Sequence, residues 1–153
     1  MKFQGLYFIF CVNFSSNGKY VISYSMEKIT RLWDIGIGKQ IQTFEDHSNY
    51  VRSVQYSSDD QTIGLCDLQS GHSNIVSYAT FFPDNKYIAS CSYDKTIRIW
   101  NVESGVRLKI LKGHSYIVAY VTYFPDGQSI VSCSKDKTIR LWNVKNGKRN
   151  TKI

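Results

Sequence analysis

The feature that most constrains this chain is an internal repeat with a period of 42 residues. Trp100 and Trp142 end two near-identical segments, which begin with Gly71-His72 and Gly113-His114. In both segments a Phe-Pro-Asp turn and a Ser-x-Asp-Lys-Thr-Ile-Arg run recur with the same spacing before the tryptophan. A repeat of this length predicts an array of like units, each of which buries an apolar face against the next.

Two less regular copies precede this pair. The first ends at Trp33 with a similar run of residue types but lacks the Gly-His pair. The second is shortened: Asp46-His47 begins it, and Cys66 stands where the tryptophan is expected. We therefore divide the chain into a first repeat with a degenerate start, a truncated second repeat, a regular third repeat and a fourth repeat with a degenerate last strand, at residues 5–44, 45–71, 72–112 and 113–153.

Each regular copy predicts four short strands. In the third copy apolar residues cluster around 76–81, 87–89, 97–99 and 106–110, and Pro, Asp, Asn or Gly separates the clusters. Connections this short join antiparallel neighbours, so each copy forms a meander. A period of about 40–45 residues with these markers is typical of a four-stranded propeller blade. The predicted fold is all-β, a partial or small β-propeller of about four blades.

The second copy lacks the residues for two of its strands. What remains is 51–56 joined to 61–66, which predicts a hairpin that depends on its neighbours for stability. The apolar start of the chain fits either a short secretory signal or a strand. We favour the strand, because Ile9, Val12 and Phe14 keep the spacing of three apolar residues in the second copy.

The repeat resembles that of the WD-repeat family of β-propellers, over about residues 9–143. In that family a histidine, a serine or threonine, an aspartate and the tryptophan of each blade form one hydrogen-bonded tetrad. The resemblance assigns this tetrad to His72, Ser90 or Ser92, Asp94 and Trp100 in the third repeat, and to His114, Ser132 or Ser134, Asp136 and Trp142 in the fourth. The first repeat has Glu27 in place of the aspartate and no histidine, so its tetrad is expected to be incomplete.

Histidine, serine and aspartate together also invite comparison with a hydrolase triad. Here the histidine, serine and aspartate occur twice, one blade period apart, whereas a single active site would occur once. Buried imidazole, hydroxyl and carboxylate groups each need a hydrogen-bond partner, which also explains why they lie together. The chain has no Gly-rich phosphate loop and no Cys-x-x-Cys pair. We expect the tetrads to be structural, and we expect no catalytic residue, cofactor or metal site.

The resemblance further implies that partners bind where the first strand of each repeat begins and where the second strand turns into the third. The residues predicted for this face are Met26, Tyr50, Arg52, Ile75, Ser77, Tyr93, Ile117, Ala119 and Lys135. The predicted function is a non-catalytic scaffold for other proteins or peptides. The alternative is an RNA-associated module, in which tyrosines stack on bases and Lys or Arg contact phosphates.

The net charge of +7 and the pI near 9.2 favour an acidic or nucleic-acid partner. Much of this charge is periodic, however, because Lys95 and Arg98 recur as Lys137 and Arg140. A solvated strand edge is the simpler interpretation of these pairs.

Cysteine use indicates a reducing compartment. Cys91 and Cys133 occupy the same position in successive repeats, which favours small core residues over a disulfide. We expect the cytoplasm, with the nucleus as the alternative. No stretch is long enough to span a bilayer, so no membrane partner is expected.

The array predicts exposed ends. The last segment, 148–153, lacks the apolar pattern of 106–110, which predicts a poor outer strand. Three outcomes follow: an open arc, a ring completed by a second copy or another chain, or a fragment of a longer propeller. We favour the fragment and then assembly, because open arrays without polar ends tend to aggregate.

Overall fold

The computed structural model of the protein describes residues 8–25, 29–44, 54–57, 59, 63–65, 71–147 and 149–152. All of its regular structure is antiparallel β-sheet, which confirms the predicted fold class. Among these residues no helix is long and apolar enough to cross a membrane. The strands are β1 Ile9–Phe14, β2 Tyr20–Ser25, β3 Thr30–Asp34, β4 Lys39–Phe44, β5 Val54–Tyr56, β6 Ile63–Leu65, β7 Val76–Phe81, β8 Tyr87–Ser92, β9 Thr96–Asn101, β10 Arg107–Lys112, β11 Val118–Tyr123, β12 Ser129–Ser134, β13 Ile139–Asn143 and β14 Arg149–Lys152.

The strands form three four-stranded meanders and one hairpin, as the repeat predicts. We call β1–β4 blade 1, β5–β6 the hairpin, β7–β10 blade 3 and β11–β14 blade 4. The contacts of the chain divide it into two compact units, residues 1–67 and residues 68–153. Blade 1 and the hairpin belong to the first unit, and blades 3 and 4 belong to the second.

In the first unit the described part of the hairpin packs on blade 1. Its described strands have three residues each, and Val54 pairs with Leu65 while Tyr56 pairs with Ile63. Tyr56 also packs against the buried side chains of Ile22 on β2. The predicted hairpin is therefore present in the described residues, and a neighbouring sheet supports it.

Blades 3 and 4 share one register. Val76 pairs with Ser92 and Val118 with Ser134, and both first strands carry a bulge immediately after the valine. The turn that follows each first strand needs a left-handed residue, which is Asn85 at φ 57° in blade 3 and glycine in blade 4. Asparagine and glycine tolerate this conformation, so the same turn closes both hairpins.

The main core lies between these two blades. Apolar residues alternate along the strands, so every second side chain of blade 3 points toward blade 4. Buried in this cluster are Phe82, Ala89, Cys91, Ile97, Ile99, Leu111, Val118, Val121, Ile130 and Trp142. The core thus joins two successive repeats. This agrees with the prediction that each unit buries an apolar face against the next.

The last outer strand forms despite its polar sequence. β14 pairs with β13 through Arg140 and Leu141, with a shift of register before Trp142. Its described part has four residues. Backbone hydrogen bonds do not require apolar side chains, so β14 forms without the apolar pattern of β10.

Candidate protein-interaction face

In blade 3 a chain of side-chain hydrogen bonds joins β8, β9 and the turn between them to the loop before β7. Trp100 Nε1 donates to Ser90 Oγ at 2.8 Å, and Ser90 Oγ lies 2.8 Å from His72 Nε2. His72 Nδ1 lies 2.8 Å from Asp94 Oδ2. The side chains of His72 and Asp94 are almost completely shielded from solvent. The structure therefore brings together four of the residues assigned to the third-repeat tetrad.

The direction of these hydrogen bonds follows from which groups hold protons. An ionised carboxylate only accepts, so His72 Nδ1–H donates to Asp94 and leaves Nε2 as the acceptor for the Ser90 hydroxyl. Ser90 Oγ then accepts from the Trp100 indole. Burial lowers the pKa of His72 below its usual 6.5, although Asp94 opposes this shift, so the imidazole is neutral at pH 7. Each polar side-chain atom in this series of hydrogen bonds then has a partner.

Blade 4 repeats this geometry. Trp142 Nε1 donates to Ser132 Oγ at 2.8 Å, His114 Nε2 lies 2.8 Å from the same oxygen, and His114 Nδ1 lies 2.8 Å from Asp136 Oδ2. Burial likewise lowers the pKa of His114. Two successive blades thus carry the same arrangement at the repeat period.

The other two candidate serines have a different place. Ser92 Oγ donates to the carbonyl of Asn74 and accepts from the backbone N–H of Asp94, at 3.1 and 3.0 Å. Ser134 makes the equivalent bonds to the carbonyl of Tyr116 and the backbone N–H of Asp136, and it also donates to the carbonyl of Ile117. Both serines therefore tie the loop before the first strand to the turn after the second, and neither reaches the tryptophan.

A threonine that the sequence analysis did not single out holds each aspartate. Asp94 Oδ1 accepts from the backbone N–H and the hydroxyl of Thr96, at 2.9 and 2.6 Å. Thr138 does the same for Asp136. Burial would raise the pKa of both carboxyl groups, but the hydrogen bonds from threonine and histidine outweigh it and lower the pKa below the usual 3.8. The signal for this partner was the Asp-Lys-Thr sequence in both repeats.

Arginine on the third strand also belongs to this network, which corrects one expectation. Arg98 and Arg140 are buried, and each lies 3.4 Å from an oxygen of the aspartate four residues before it. Arg98 also donates to the carbonyl of Gly71. The prediction of a solvated strand edge is therefore wrong for these two arginines and right for the exposed Lys95 and Lys137. The segment that carries Gly71 packs against Arg98 on this face of the sheet, so alternation with isoleucine does not make the arginine solvent-facing.

The tetrads fix two loop pairs that carry predicted partner-binding residues. In blade 3 the backbone N–H of Tyr93 donates to the carbonyl of Ile75 at 2.9 Å, and in blade 4 Lys135 donates to Ile117 at 2.9 Å. We call the surface around these four residues the turn face. Lys135 is exposed, and the other three are half-buried.

The remaining predicted residues differ in accessibility. Ala119 is exposed, whereas Ser77 is half-buried with its hydroxyl oxygen shielded from solvent. Met26, Tyr50 and Arg52 lie outside the described residues. An exposed aromatic residue that the sequence analysis omitted, Tyr116, adjoins Ile117 on the turn face. Its signal was an aromatic residue placed directly between the Gly-His turn and the first strand.

Comparison with known proteins finds a family model described as "WD domain, G-beta repeat" in four segments of the chain. The matched segments are residues 3–34, 38–67, 65–101 and 105–143. Together they cover most of the sequence, including both tetrads described above.

Several curated proteins share part of this sequence. Nuclear distribution protein nudF of Aspergillus oryzae is 29% identical over 119 residues, covering 65% of this chain and 26% of nudF. Protein HIRA of Dictyostelium discoideum is 33% identical over 89 residues, covering 58% of this chain and 7% of HIRA. The SAGA complex/transcription factor TFIID complex subunit Taf5 of Schizosaccharomyces pombe is 31% identical over 98 residues, covering 64% and 13%. The chain thus spans about a quarter or less of the length of these relatives.

Proposed function

The chain belongs to the WD-repeat family, and from that premise we propose that it is a non-catalytic scaffold for protein–protein interaction. The observation that carries this proposal is the turn face, on which tetrads in two adjacent blades hold equivalent loops in place. A binding surface with a fixed backbone loses little conformational freedom when a partner docks, which favours affinity. Partners would be other proteins or peptides, and a second copy of the chain is considered below.

Burial of the tetrads argues against a hydrolase. Ser90 and Ser132, the only hydroxyl groups within reach of the two histidines' Nε2 atoms among the described residues, are almost fully buried. A substrate carbonyl cannot reach either oxygen without disrupting the sheet. In addition, each serine oxygen already accepts from an indole N–H, which weakens it as a nucleophile. The geometry supports a structural role for both sets.

The relatives support protein partners in general. Taf5 is by its name a subunit of the SAGA complex and of the transcription factor TFIID complex. For this chain, a half-buried tyrosine beside an isoleucine matches the enrichment of aromatic residues at binding hot spots. The RNA alternative draws less support, because Arg98 and Arg140 are engaged with aspartates inside the sheet and cannot contact phosphates.

The thiol state of Cys91 and Cys133 agrees with a reducing compartment, so we propose the cytoplasm or the nucleus as the site of action. Cys91 is buried in the core between blades 3 and 4, whereas Cys133 is half-buried and lies outside that cluster. This placement supports the interpretation as a small core residue for Cys91 only.

The test is affinity capture with two turn-face variants and a control variant that makes the same charge reversal elsewhere. Tyr93→Ala and Lys135→Glu alter the turn face, whereas Lys86→Glu reverses an equally exposed charge at the opposite end of the strands. We expect wild type and Lys86→Glu to capture one common set of proteins, and both turn-face variants to lose it. Capture of the same set by all four proteins would remove the turn face as the binding surface. Circular dichroism of each variant checks that the fold is retained.

A further inference from the structure

Equivalent residues of blades 3 and 4 differ sharply in exposure. Phe82 is 3% exposed and its repeat equivalent Phe124 is 46% exposed, while Ile97 and Ile139 are 0% and 44% exposed. We call the surface of each blade that carries these residues its forward face. In blade 3 the forward face consists of Phe82, Ala89, Cys91, Ile97 and Ile99, and in blade 4 of Phe124, Val131, Cys133, Ile139 and Leu141. The forward face of blade 4 is thus apolar, with Phe124 and Ile139 exposed and the other three side chains half-buried.

The chain itself contains the surface that covers a forward face. We call it the rear face, and in blade 4 it consists of Val118, Val121, Tyr123, Ile130 and Trp142, which pack on the forward face of blade 3. One contact marks the register of this packing: the rings of Phe82 and Tyr123 stack with centroids 4.9 Å apart.

Blade 1 carries an apolar rear face with an exposed strand. The residues equivalent to those of blade 4 are Ile9, Val12, Phe14, Val21 and Trp33. Pairing of Phe14 with Val21 in blade 1 matches pairing of Tyr123 with Ile130 in blade 4, and both first strands have the same bulge. On β1, Val12 is 53% and Phe14 is 61% exposed.

We propose that the forward face of blade 4 in one copy of the chain packs on the rear face of blade 1 in a second copy. The new contact continues the packing of blade 3 on blade 4, and Phe124 meets Phe14 of the other copy as Phe82 meets Tyr123 within the chain. Both halves of the contact are on one chain, so a second copy supplies the complementary surface without any other species. This inference goes beyond the proposed scaffold function and does not depend on the turn face.

Such a contact joins two different surfaces and is therefore heterologous, so it either closes into a ring or continues as a polymer. Two copies that satisfy both faces bring six four-stranded blades and two hairpins together, and propellers contain typically about 4–8 blades. In either case, burial of isoleucine, valine and phenylalanine supplies the driving force.

The experiment measures the mass of the full chain by light scattering and native mass spectrometry in the micromolar range. We expect wild type to have the mass of two copies or a multiple. Phe14→Asp and Phe124→Asp should each give a monomer. The matched controls are Ile41→Asp and Val106→Asp, which place the same charge at apolar residues of similar exposure outside both faces and should keep the wild-type mass.

Mixing the two monomeric variants separates this contact from others. The Phe14→Asp chain keeps its forward face and the Phe124→Asp chain keeps its rear face, so together they should form a 1:1 pair that grows no further. Recovery of the pair also shows that both variants are folded. A monomeric wild type, a loss of association in the controls, or no pair in the mixture would each overturn the proposal.

Discussion

The Trp33 indole N–H donates to Ser23 Oγ at 2.8 Å, as Trp142 donates to Ser132 in blade 4. The first repeat has no histidine at its start, so Ser23 cannot be followed by the imidazole that completes the regular tetrads. Blade 1 therefore keeps the link between its second and third strands. The sequence before β1 lacks the histidine that, in the regular blades, links those strands to the loop before the first strand.

The two tryptophans should respond differently to loss of the indole N–H. Trp142→Phe leaves Ser132 without its donor in a fully buried chain of hydrogen bonds and should lower the free energy of unfolding by about 1–3 kcal/mol. Trp33→Phe should cost less, because no histidine among the described residues bonds to Ser23, whose hydroxyl can then reorient. Chemical denaturation monitored by circular dichroism measures both values. Equal losses would contradict a cooperative role for the complete tetrad.

Ser132→Ala and Ser134→Ala provide the companion test. Ser132 serves two buried groups, Trp142 Nε1 and His114 Nε2, whereas Ser134 serves backbone groups in a partly exposed turn. We expect Ser132→Ala to cost more, because buried polar groups left without partners carry the larger penalty. A greater loss for Ser134→Ala in the same denaturation assay would show that the turn, not the tetrad, dominates stability.

The repeat pattern predicts the sheets well because each strand alternates and each turn has its own residue types. It could not choose between Ser90 and Ser92, since residues two apart on a strand point to the same face. The structure assigns Ser90, because the Trp100 indole lies within hydrogen-bond distance of that serine.

The same limit explains the wrong expectation for Arg98. Alternation shows that Arg98 points to the opposite side of the sheet from Ile97, but not that its side chain is buried there. The sequence did not reveal the exposure of Phe124 either, because both phenylalanines precede Pro-Asp at the same position of the repeat.

The glycine of the Gly-His pair is required by close packing. A Cβ at Gly113 would lie 2.7 Å from Arg140 Nη1 and 3.2 Å from Trp142 Cη2, and its φ is 155°. Gly113→Ala should therefore destabilise the protein by about 1–3 kcal/mol through overpacking. Gly127→Ala is the control, because its φ is also positive but nothing lies within 4 Å of its added carbon. If thermal or chemical melts show equal losses, backbone strain rather than contact with the tetrad explains the glycine.

Stability should fall on acidification in two steps. Burial, opposed by the aspartates, lowers the pKa of His72 and His114 below 6.5, so the unfolded chain binds more protons than the folded chain as the pH falls below that value. Hydrogen bonds lower the pKa of Asp94 and Asp136 below 3.8 despite the opposing effect of burial, which adds a second loss at lower pH. Urea denaturation from pH 7.5 downward measures the slope. In a His72→Gln/His114→Gln variant the first step should shrink, and an unchanged slope would show that other groups cause it.

Salt dependence should separate the scaffold from the RNA alternative. Release of counterions makes RNA binding weaken steeply, by about 10³–10⁵ between roughly 50 and 200 mM salt for a site with about 6–10 phosphate contacts. A peptide interface centred on Tyr93 and Ile117 relies on burial of apolar area, which salt at these concentrations changes little. We expect the proteins captured by the turn face to remain bound across this range, and Lys135→Glu to weaken a single-stranded RNA probe no more than Lys86→Glu does. A steep salt slope for RNA that is lost only in Lys135→Glu would instead favour the RNA module.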